Sequence, residues 1–187
     1  MGMRAILLLF SISVLMGLSQ LPSLQGWMQW DHNAIMTGQW WRIVTGNVTH
    51  TNLYHLSMNL LGLWIISFIF RAHIEARQFL LVFIGLCLSV GSLLLFTSMQ
   101  IYVGLSGVLH GLFAFYALVE YRLGRKSNAL LLIGLTAKIL WEQWFGSATG
   151  SEALIDAKVA IDAHLFGAIS GVVLAVSIKP KQLETNK

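Results

Sequence analysis

Long apolar runs separated by short polar segments set the pattern of this chain. Acidic and basic side chains are absent from four stretches, residues 5–30, 43–70, 78–119 and 163–178. A helix that crosses the hydrocarbon core of a membrane needs about 20 mainly apolar residues. The longest stretch therefore has room for two helices. Residues 127–146 form a further apolar segment, in which Lys138 and Glu142 are the only charged residues.

The pattern predicts an all-α membrane protein, a six-transmembrane-helix bundle that forms a single domain over residues 1–187. The predicted spans are roughly 4–21, 50–70, 79–98, 106–121, 127–146 and 160–178. Composition agrees, because 56% of the residues are hydrophobic and 11% are charged, whereas soluble domains carry about 25% charged residues. We expect the first helix to be retained rather than cleaved, since Pro22 and the aromatic segment 27–30 resemble an exit into the membrane interface.

Basic residues concentrate on one side of the predicted spans, and this sets their orientation. Nine of the 12 Lys and Arg residues fall on that side, namely Arg4, Arg71, Arg77, Arg122, Arg125, Lys126, Lys179, Lys181 and Lys187. Arg42 and Lys158 fall on the other side, and Lys138 lies within a span. We therefore expect both termini in the cytoplasm.

The net charge of +4 is interpreted as a consequence of this topology and of contact with lipid headgroups. No basic stripe with interleaved aromatic residues indicates nucleic-acid binding. The connection 22–49 is the longest, and it contains four tryptophans. We expect it to lie in the outer interface, where indole rings are favoured.

Three polar residues fall at one depth in the predicted membrane. His55 lies five residues into its span and His164 four, about 6 to 8 Å below the outer boundary at 1.5 Å per residue. The span that begins at Ser106 has 16 residues, which reach about 24 Å of a core of about 30 Å. If Arg122 marks the inner end, Ser106 begins its helix about 6 Å below the outer surface.

Ser106 and His164 are the candidate catalytic pair of a serine hydrolase. Gly104 and Gly107 flank the serine and permit a tight turn before the helix. Without other evidence, Ser106 would be interpreted as an ordinary helix N-cap. Because His164 lies at the same depth, the interpretation as a nucleophile activated by a histidine is favoured. Gly167 and Gly171 follow His164 at four-residue spacing, and such a face lets two helices approach closely.

His55 and Asn59 are four residues apart, so they share one helix face. An imidazole N–H and an amide N–H are suitable donors to an oxyanion. The alternative is a pair of hydrogen bonds that simply holds helices together. His50 and His110 are expected to support the site. His50 is interpreted equally as a hydrogen-bond partner that fixes a loop and as a catalytic residue. His110 is expected to pack beside His164.

No acid is clearly placed to complete a triad. Asp162 lies two residues before His164, and on a helix it points about 200° away, so a Ser/His dyad is expected. Lys138 and Glu142 form an i, i+4 pair. They are interpreted either as a self-neutralising pair with a snorkelling lysine or, less strongly, as residues that recognise a polar feature of a substrate.

Two other functions fit some of these residues. A bis-histidine haem or metal carrier would use His55 and His164, and a small transporter would use the histidines with Lys138 and Glu142 as a proton relay. The hydrolase hypothesis needs no metal and no cofactor.

Taken together, the motifs resemble the rhomboid intramembrane serine proteases over almost the whole chain. The resemblance rests on Trp41, Arg42, His50, His55, Asn59, Gly104, Leu105, Ser106, Gly107, His164, Gly167 and Gly171. It implies that Ser106 is the nucleophile, that His164 is the general base, and that His55 and Asn59 stabilise the oxyanion. A catalytically silent relative that binds membrane helices is the alternative.

His110 distinguishes this chain from many bacterial rhomboids, which have a tyrosine four residues after the serine. That residue, the short length and the run 104–111 resemble the rhombosortase branch. The branch implies that the substrates are membrane-anchored surface proteins with a C-terminal Gly-Gly-type sorting segment, an apolar helix and a basic tail. It also implies a bacterial inner membrane, with the active site open toward the periplasm.

Overall fold

The computed structural model describes residues 1–147 and 150–178, and these form a bundle of helices. The elements are α1 (Met3–Leu18), α2 (Pro22–Met28), β1 (Trp30–Asp31), α3 (His32–Met36), α4 (Arg42–Thr45), α5 (Leu53–Ile69), α6 (Ala76–Leu93), β2 (Ile101–Tyr102), α7 (Ser106–Arg122), α8 (Asn128–Phe145), α9 (Ser151–Ile155) and α10 (Ile161–Ser177). Short 3₁₀ turns cover Gly46–Val48 and Leu94–Phe96.

A long helix lies at each of the six positions predicted from the apolar runs. The largest difference is in the third, predicted over 79–98. This helix begins at Ala76, where the Glu75 side chain caps it, and ends at Leu93. The expectation of two cytoplasmic termini rests partly on Lys179, Lys181 and Lys187, which lie outside the described residues. It stays a prediction.

Membrane crossing can be judged from helix length and composition within the described ranges. By these criteria one helical stretch, 76–96, is long and apolar enough to span a bilayer. The count rises to three if each of two sharply bent pairs is one span, Met3–Leu18 with Pro22–Met28 and Arg42–Val48 with Leu53–Ile69. Helix α10 is apolar but shorter. The number six therefore also stays a prediction.

The outer faces of the helices are apolar. Large hydrophobic side chains such as Phe10, Leu61 and Ile133 are each more than 60% exposed. Many large apolar side chains exposed on several helices are unusual for a soluble monomer and indicate contact with a membrane or a partner. The fold therefore agrees with a helical bundle in lipid.

The connection 22–49 is folded, with α2, α3, α4 and a two-residue strand β1 that pairs antiparallel with β2. The prediction that this connection lies in the outer interface stays a prediction, but Trp30 lies inside the protein. This indole is fully buried, and its Nε1 donates to the Gly91 carbonyl at 2.8 Å. Trp27, Trp40 and Trp41 do remain exposed or nearly so.

Helix α7 is the centre of the bundle, and it packs on α10 through glycines. A Cβ at Gly107 would lie 2.7 Å from the Ala163 carbonyl oxygen, and a Cβ at Gly167 would overlap the Gly107 carbonyl. Gly171 stands in the same relation to the Gly111 carbonyl. The predicted close approach of the last helix to the serine helix is confirmed, and it places backbone directly on backbone.

The two ends of α7 carry different polar clusters. At its C-terminal end, the Glu120 carboxylate is buried and binds His73 Nδ1 at 2.9 Å, Arg125 Nη1 at 2.8 Å and Asn128 Nδ2 at 2.9 Å. The cluster joins the end of α7 to α8 and to the turn before α6. The other end of α7 carries the predicted site residues.

Candidate active site

Ser106 is the first residue of α7, and the chain before it is held in a tight turn. Gly104 has φ +127°, a conformation that side chains of L residues rarely adopt. A Cβ there would also lie 2.7 Å from His55 Nε2. The Tyr102 hydroxyl donates to the Gly104 carbonyl at 2.6 Å. At this position, the first backbone N–H groups of α7 have no carbonyl partner within the helix.

His164 reaches Ser106 from the first turn of α10. Its Nε2 lies 2.8 Å from Ser106 Oγ, and the ring is buried. The contact predicted from depth is present, since a competent pair needs about 2.6 to 3.2 Å. The glycine contacts between α7 and α10 make this distance possible.

A carboxylate completes the line of hydrogen bonds, contrary to the expectation of an unsupported pair. Glu142 Oε2 lies 2.9 Å from His164 Nδ1, on the side of the ring away from Ser106. That expectation was wrong because the face of α8 that carries Glu142 is turned toward α10. Asp162, by contrast, forms no hydrogen bond with His164 within the part of the chain that the structure describes.

Lys138 and Glu142 form the predicted i, i+4 ion pair, with Nζ and Oε1 2.8 Å apart. The lysine does not snorkel away from the site. Its Nζ lies 2.7 Å from His110 Nε2 and 3.5 Å from His164 Nδ1. The pair is therefore part of the candidate site and is not merely self-neutralising.

His110 packs against His164, as predicted. The two rings are stacked, with centroids 4.1 Å apart and planes inclined by 18°. His110 Nδ1 lies 2.7 Å from the Ser106 carbonyl oxygen. Sequence spacing predicted the shared face, since residues four apart on a helix are neighbours.

His55 and Asn59 line the same cavity as Ser106 and His164, and the volume of this cavity is about 560 Å³. Asn59 Nδ2 donates one hydrogen to the His55 carbonyl at 3.0 Å, which leaves its second amide hydrogen for another acceptor. His55 Nδ1 lies 3.1 Å from Thr51 Oγ1, and that hydroxyl donates to the Ile155 carbonyl at 2.5 Å. The backbone N–H of Thr51 also donates to His55 Nδ1, at 3.5 Å. His55 Nδ1 therefore has a partner in either tautomer, as an acceptor from this N–H or as a donor to the Thr51 oxygen.

His50 is fully buried, edge-on to His55, with ring centroids 5.0 Å apart. Its backbone carbonyl accepts from Gln25 Nε2 at 2.6 Å. Both ring nitrogens lack a hydrogen-bond partner among the described residues. The predicted loop-fixing role therefore belongs to its backbone, and its ring packs under His55.

A short helix that lines the cavity through Ser151 and Ile155, α9, was not predicted. Helix α9 is fastened to the start of α5 by Thr51, and by Asn52 Nδ2, which donates to the Leu154 carbonyl at 3.0 Å. The Glu152 side chain holds the segment that follows α9 by a hydrogen bond. Its carboxylate accepts from the backbone N–H of Val159 at 3.1 Å, and this contact lowers the pKa of Glu152. A five-residue helix is too short to show an apolar periodicity, so no sequence signal marked it.

One group of ligating side chains lies in the site. His110, Glu142 and His164 each offer an atom, and these atoms lie within 4.8 Å of one another. The Lys138 ammonium already binds two of the three residues, so a metal ion there would have to displace a cation. The haem or metal carrier hypothesis named a different pair, His55 and His164.

Comparison with known proteins gives a family match. A family model described as Rhomboid domain matches residues 37–181. The putative rhomboid protease YdcA of Bacillus subtilis is 24% identical over 147 residues, which cover 75% of this chain and 68% of the relative.

Two further relatives match over longer segments. The rhomboid protease GluP of Bacillus subtilis is 26% identical over 92% of this chain and 33% of the relative. The rhomboid protease GlpG of Yersinia pestis is 24% identical over 92% of this chain and 60% of the relative. The chain thus spans less than two thirds of the length of these two relatives.

Proposed function

Because this chain belongs to the rhomboid protease family, we propose that Ser106 is its nucleophile and His164 its general base in the cleavage of membrane-anchored proteins. The family match makes it a membrane protein, as its bacterial relatives are. One observation carries the assignment of the residues, the hydrogen bond of 2.8 Å between His164 Nε2 and Ser106 Oγ. It joins two residues 58 positions apart in the chain.

In the first step, Ser106 Oγ attacks a peptide carbonyl carbon while His164 Nε2 accepts the hydroxyl proton. The π electrons of the carbonyl move onto its oxygen, which becomes an oxyanion. The imidazolium then gives the proton to the leaving nitrogen as the C–N bond breaks. An acyl ester on Ser106 and a free amine are the products of this half-reaction.

In the second step, a water molecule attacks the ester carbonyl and His164 Nε2 takes its proton. The tetrahedral intermediate collapses and Ser106 Oγ recovers a proton from His164. The carboxylic acid product leaves and releases its proton to water. The cavity beside the serine is lined by polar groups including Thr51, Asn59 and Ser147. Such a lining suits water, and irregular backbone at membrane depth is tolerated where it lines a water-filled cavity.

The oxyanion is stabilised by donors that converge on the serine. We assign this role to the second amide hydrogen of Asn59 and to the backbone N–H of Ser106 at the start of α7. His55 is the remaining predicted donor. When its Nδ1 accepts from the Thr51 backbone N–H, the neutral ring carries its proton on Nε2 and can donate it to the oxyanion.

The substrates we propose are surface proteins with a C-terminal Gly-Gly-type sorting segment, as in the rhombosortase branch. The run 104–111, with histidine at position 110, supports that branch. We place the enzyme in the inner membrane, with the cavity open toward the periplasm, because basic residues concentrate near the opposite helix ends.

Co-expression of the protein with candidate C-terminally tagged proteins tests the activity. We expect the wild type to shorten at least one of them, and Ser106→Ala and His164→Ala to leave its end intact, as read by mass spectrometry. Ser170→Ala is the matched control, since Ser170 is a buried serine of α10 outside the cavity lining. Identical termini with the wild type and Ser106→Ala would refute the assignment for every candidate tested.

A fluorophosphonate probe tests the nucleophile without a known substrate. The wild-type protein in detergent micelles should be labelled at Ser106, and the Ser106→Ala variant should not. Labelling of another serine, or none of the wild type, contradicts the proposal.

A further inference from the structure

We propose that Glu142 is a positioning residue which holds His164 in the tautomer that can accept the Ser106 proton, and that Lys138 decides how residue 142 faces the ring. The inference rests on the proposed roles of Ser106 and His164 and adds a third and a fourth member to that pair. The contacts run from Ser106 through His164 and Glu142 to Lys138. The inference rests on which atom donates and which accepts in each of them.

His164 lies between a hydroxyl and a carboxylate. An ionised carboxylate only accepts hydrogen bonds, so the 2.9 Å contact with Glu142 Oε2 requires a hydrogen on His164 Nδ1. In the neutral ring, Nε2 then carries the lone pair. The Ser106 hydroxyl, 2.8 Å away, donates to that lone pair, which is the geometry of a general base at rest.

His110 is fixed by the same logic. Lys138 Nζ donates and cannot accept, so the 2.7 Å contact makes His110 Nε2 an acceptor. The proton of His110 is then on Nδ1, where it meets the Ser106 carbonyl oxygen at 2.7 Å. Each of the two stacked rings therefore has one assigned tautomer.

Lys138 binds the other oxygen of Glu142. Nζ lies 2.8 Å from Oε1, and it also lies 3.5 Å from His164 Nδ1. A carboxylate satisfies both neighbours at once, because one oxygen accepts from Lys138 and the other from His164. Without a carboxylate, the ammonium is a second cation beside the imidazolium that forms during the reaction, and this is unfavourable.

An amide at position 142 reveals the dependence on Lys138. In Glu142→Gln, the ammonium binds the amide oxygen, since it can only donate. The amide NH₂ then faces His164 Nδ1 and forces that nitrogen to accept. The ring proton moves to Nε2, and Ser106 loses its base.

Removing Lys138 as well frees the amide to turn over. In the variant Glu142→Gln with Lys138→Met, the amide oxygen can accept from His164 Nδ1–H, and Nε2 is again a base. The second substitution should thus repair the first. A role of Glu142 in packing alone predicts no such repair, because it would add a second defect.

The experiment measures fluorophosphonate labelling of Ser106 in detergent micelles for the wild type, both single variants and the double variant. We expect the rate constant of phosphonylation to fall about 10³- to 10⁴-fold in Glu142→Gln, as when an orienting carboxylate is replaced by an amide in a triad. Apparent affinity for the probe should be retained. The double variant should recover about tenfold or more of that loss.

Glu120→Gln is the matched control. Glu120 also binds a histidine at 2.9 Å within a buried ion-pair cluster, but at the other end of α7. We expect its thermal midpoint to fall and its labelling rate, per folded molecule, to stay within about threefold of the wild type.

The outcomes separate this inference from the proposed function. A wild type that is labelled at Ser106, with Glu142→Gln labelled equally fast, overturns the inference and leaves the pair intact. If the double variant is labelled no faster than Glu142→Gln, the role of Lys138 and the argument from the His164 tautomer are both overturned. A wild type that is not labelled at Ser106 overturns both the pair and the inference.

Discussion

The ring of His110 stacks on the ring of His164, with centroids 4.1 Å apart. His110 also accepts from Lys138 on one side and contacts the Ser106 carbonyl on the other. His110 therefore holds the face of the His164 ring, whereas Ser106 and Glu142 hold its two nitrogens.

Substitution of His110 tests the value of that restraint. We expect His110→Ala to lower the labelling rate of Ser106 about 3- to 10-fold, since an aromatic pair contributes about 0.5 to 1.5 kcal/mol. His110→Phe keeps the stack and loses the acceptor for Lys138, so its loss should be smaller. Labelling kinetics check this, and an alanine variant faster than the phenylalanine variant contradicts it.

Asn59 and His55 should both matter to catalysis. We expect Asn59→Ala and His55→Ala each to lower turnover of a cleavable substrate about 10²- to 10³-fold, the effect of losing one oxyanion donor. Unchanged turnover in either variant would contradict the role assigned to that residue. Steady-state kinetics measure both effects.

Ser67→Ala is the control for that comparison. Ser67 lies on the same helix, buried, and its hydroxyl has no hydrogen-bond partner among the described residues. Removing such a hydroxyl is neutral or stabilising, so turnover should be unchanged. A larger loss in His55→Ala than in Asn59→Ala would show that the imidazole is the principal donor.

The contact between α7 and α10 should not tolerate a methyl group. In Gly167→Ala the new Cβ overlaps the Gly107 carbonyl, so the helices must separate. We expect a loss of stability of about 1 to 3 kcal/mol, as for overpacking, together with loss of labelling. Thermal unfolding in detergent and labelling measure the two effects.

Gly134→Ala gives the reference for that substitution. Gly134 is also a helical glycine, but a Cβ there meets nothing within 4 Å. Its labelling rate should match the wild type. Alanine is the better helix former, so equal losses at the two glycines would contradict a role of the contact.

The start of α6 should weaken in acid. Hydrogen bonds from the backbone N–H groups of Arg77 and Gln78 lower the pKa of Glu75 in the folded protein. A lowered folded pKa means that the stabilisation is complete above the unfolded pKa, about 4.3, and is lost as the pH falls through the folded value.

Glu75→Gln tests this pH dependence by thermal unfolding. At pH 7 we expect it to lower the free energy of unfolding by about 0.3 to 1 kcal/mol, typical of a carboxylate at a helix N-terminus. The difference from the wild type should shrink toward pH 3. A constant difference across that range would contradict a role for the charge.

Helix periodicity and depth along the helix axis were enough to predict much of the site. Ser106 and His164 meet because each begins a helix of nearly the expected bounds, and helix geometry fixes depth. His110 could be placed beside His164 for the same reason. These predictions needed only distances along a helix axis.

Glu142 shows what such reasoning misses. The spacing to Lys138 predicted their ion pair, but not which way that face of α8 points. The rotation of α8 about its axis depends on packing against α7 and α10, and on the Asn128 side chain, which binds the buried Glu120. Trp30 is a similar case, because it is buried where β1 pairs with the distant strand β2.

The glycine contact between α7 and α10 has a mechanical consequence. At these glycines the helices that carry the nucleophile and its base touch through peptide groups. Close-packed backbone does not yield as a flexible side chain does. The separation of the serine helix from the histidine helix is therefore fixed by peptide groups and does not depend on side-chain rotation.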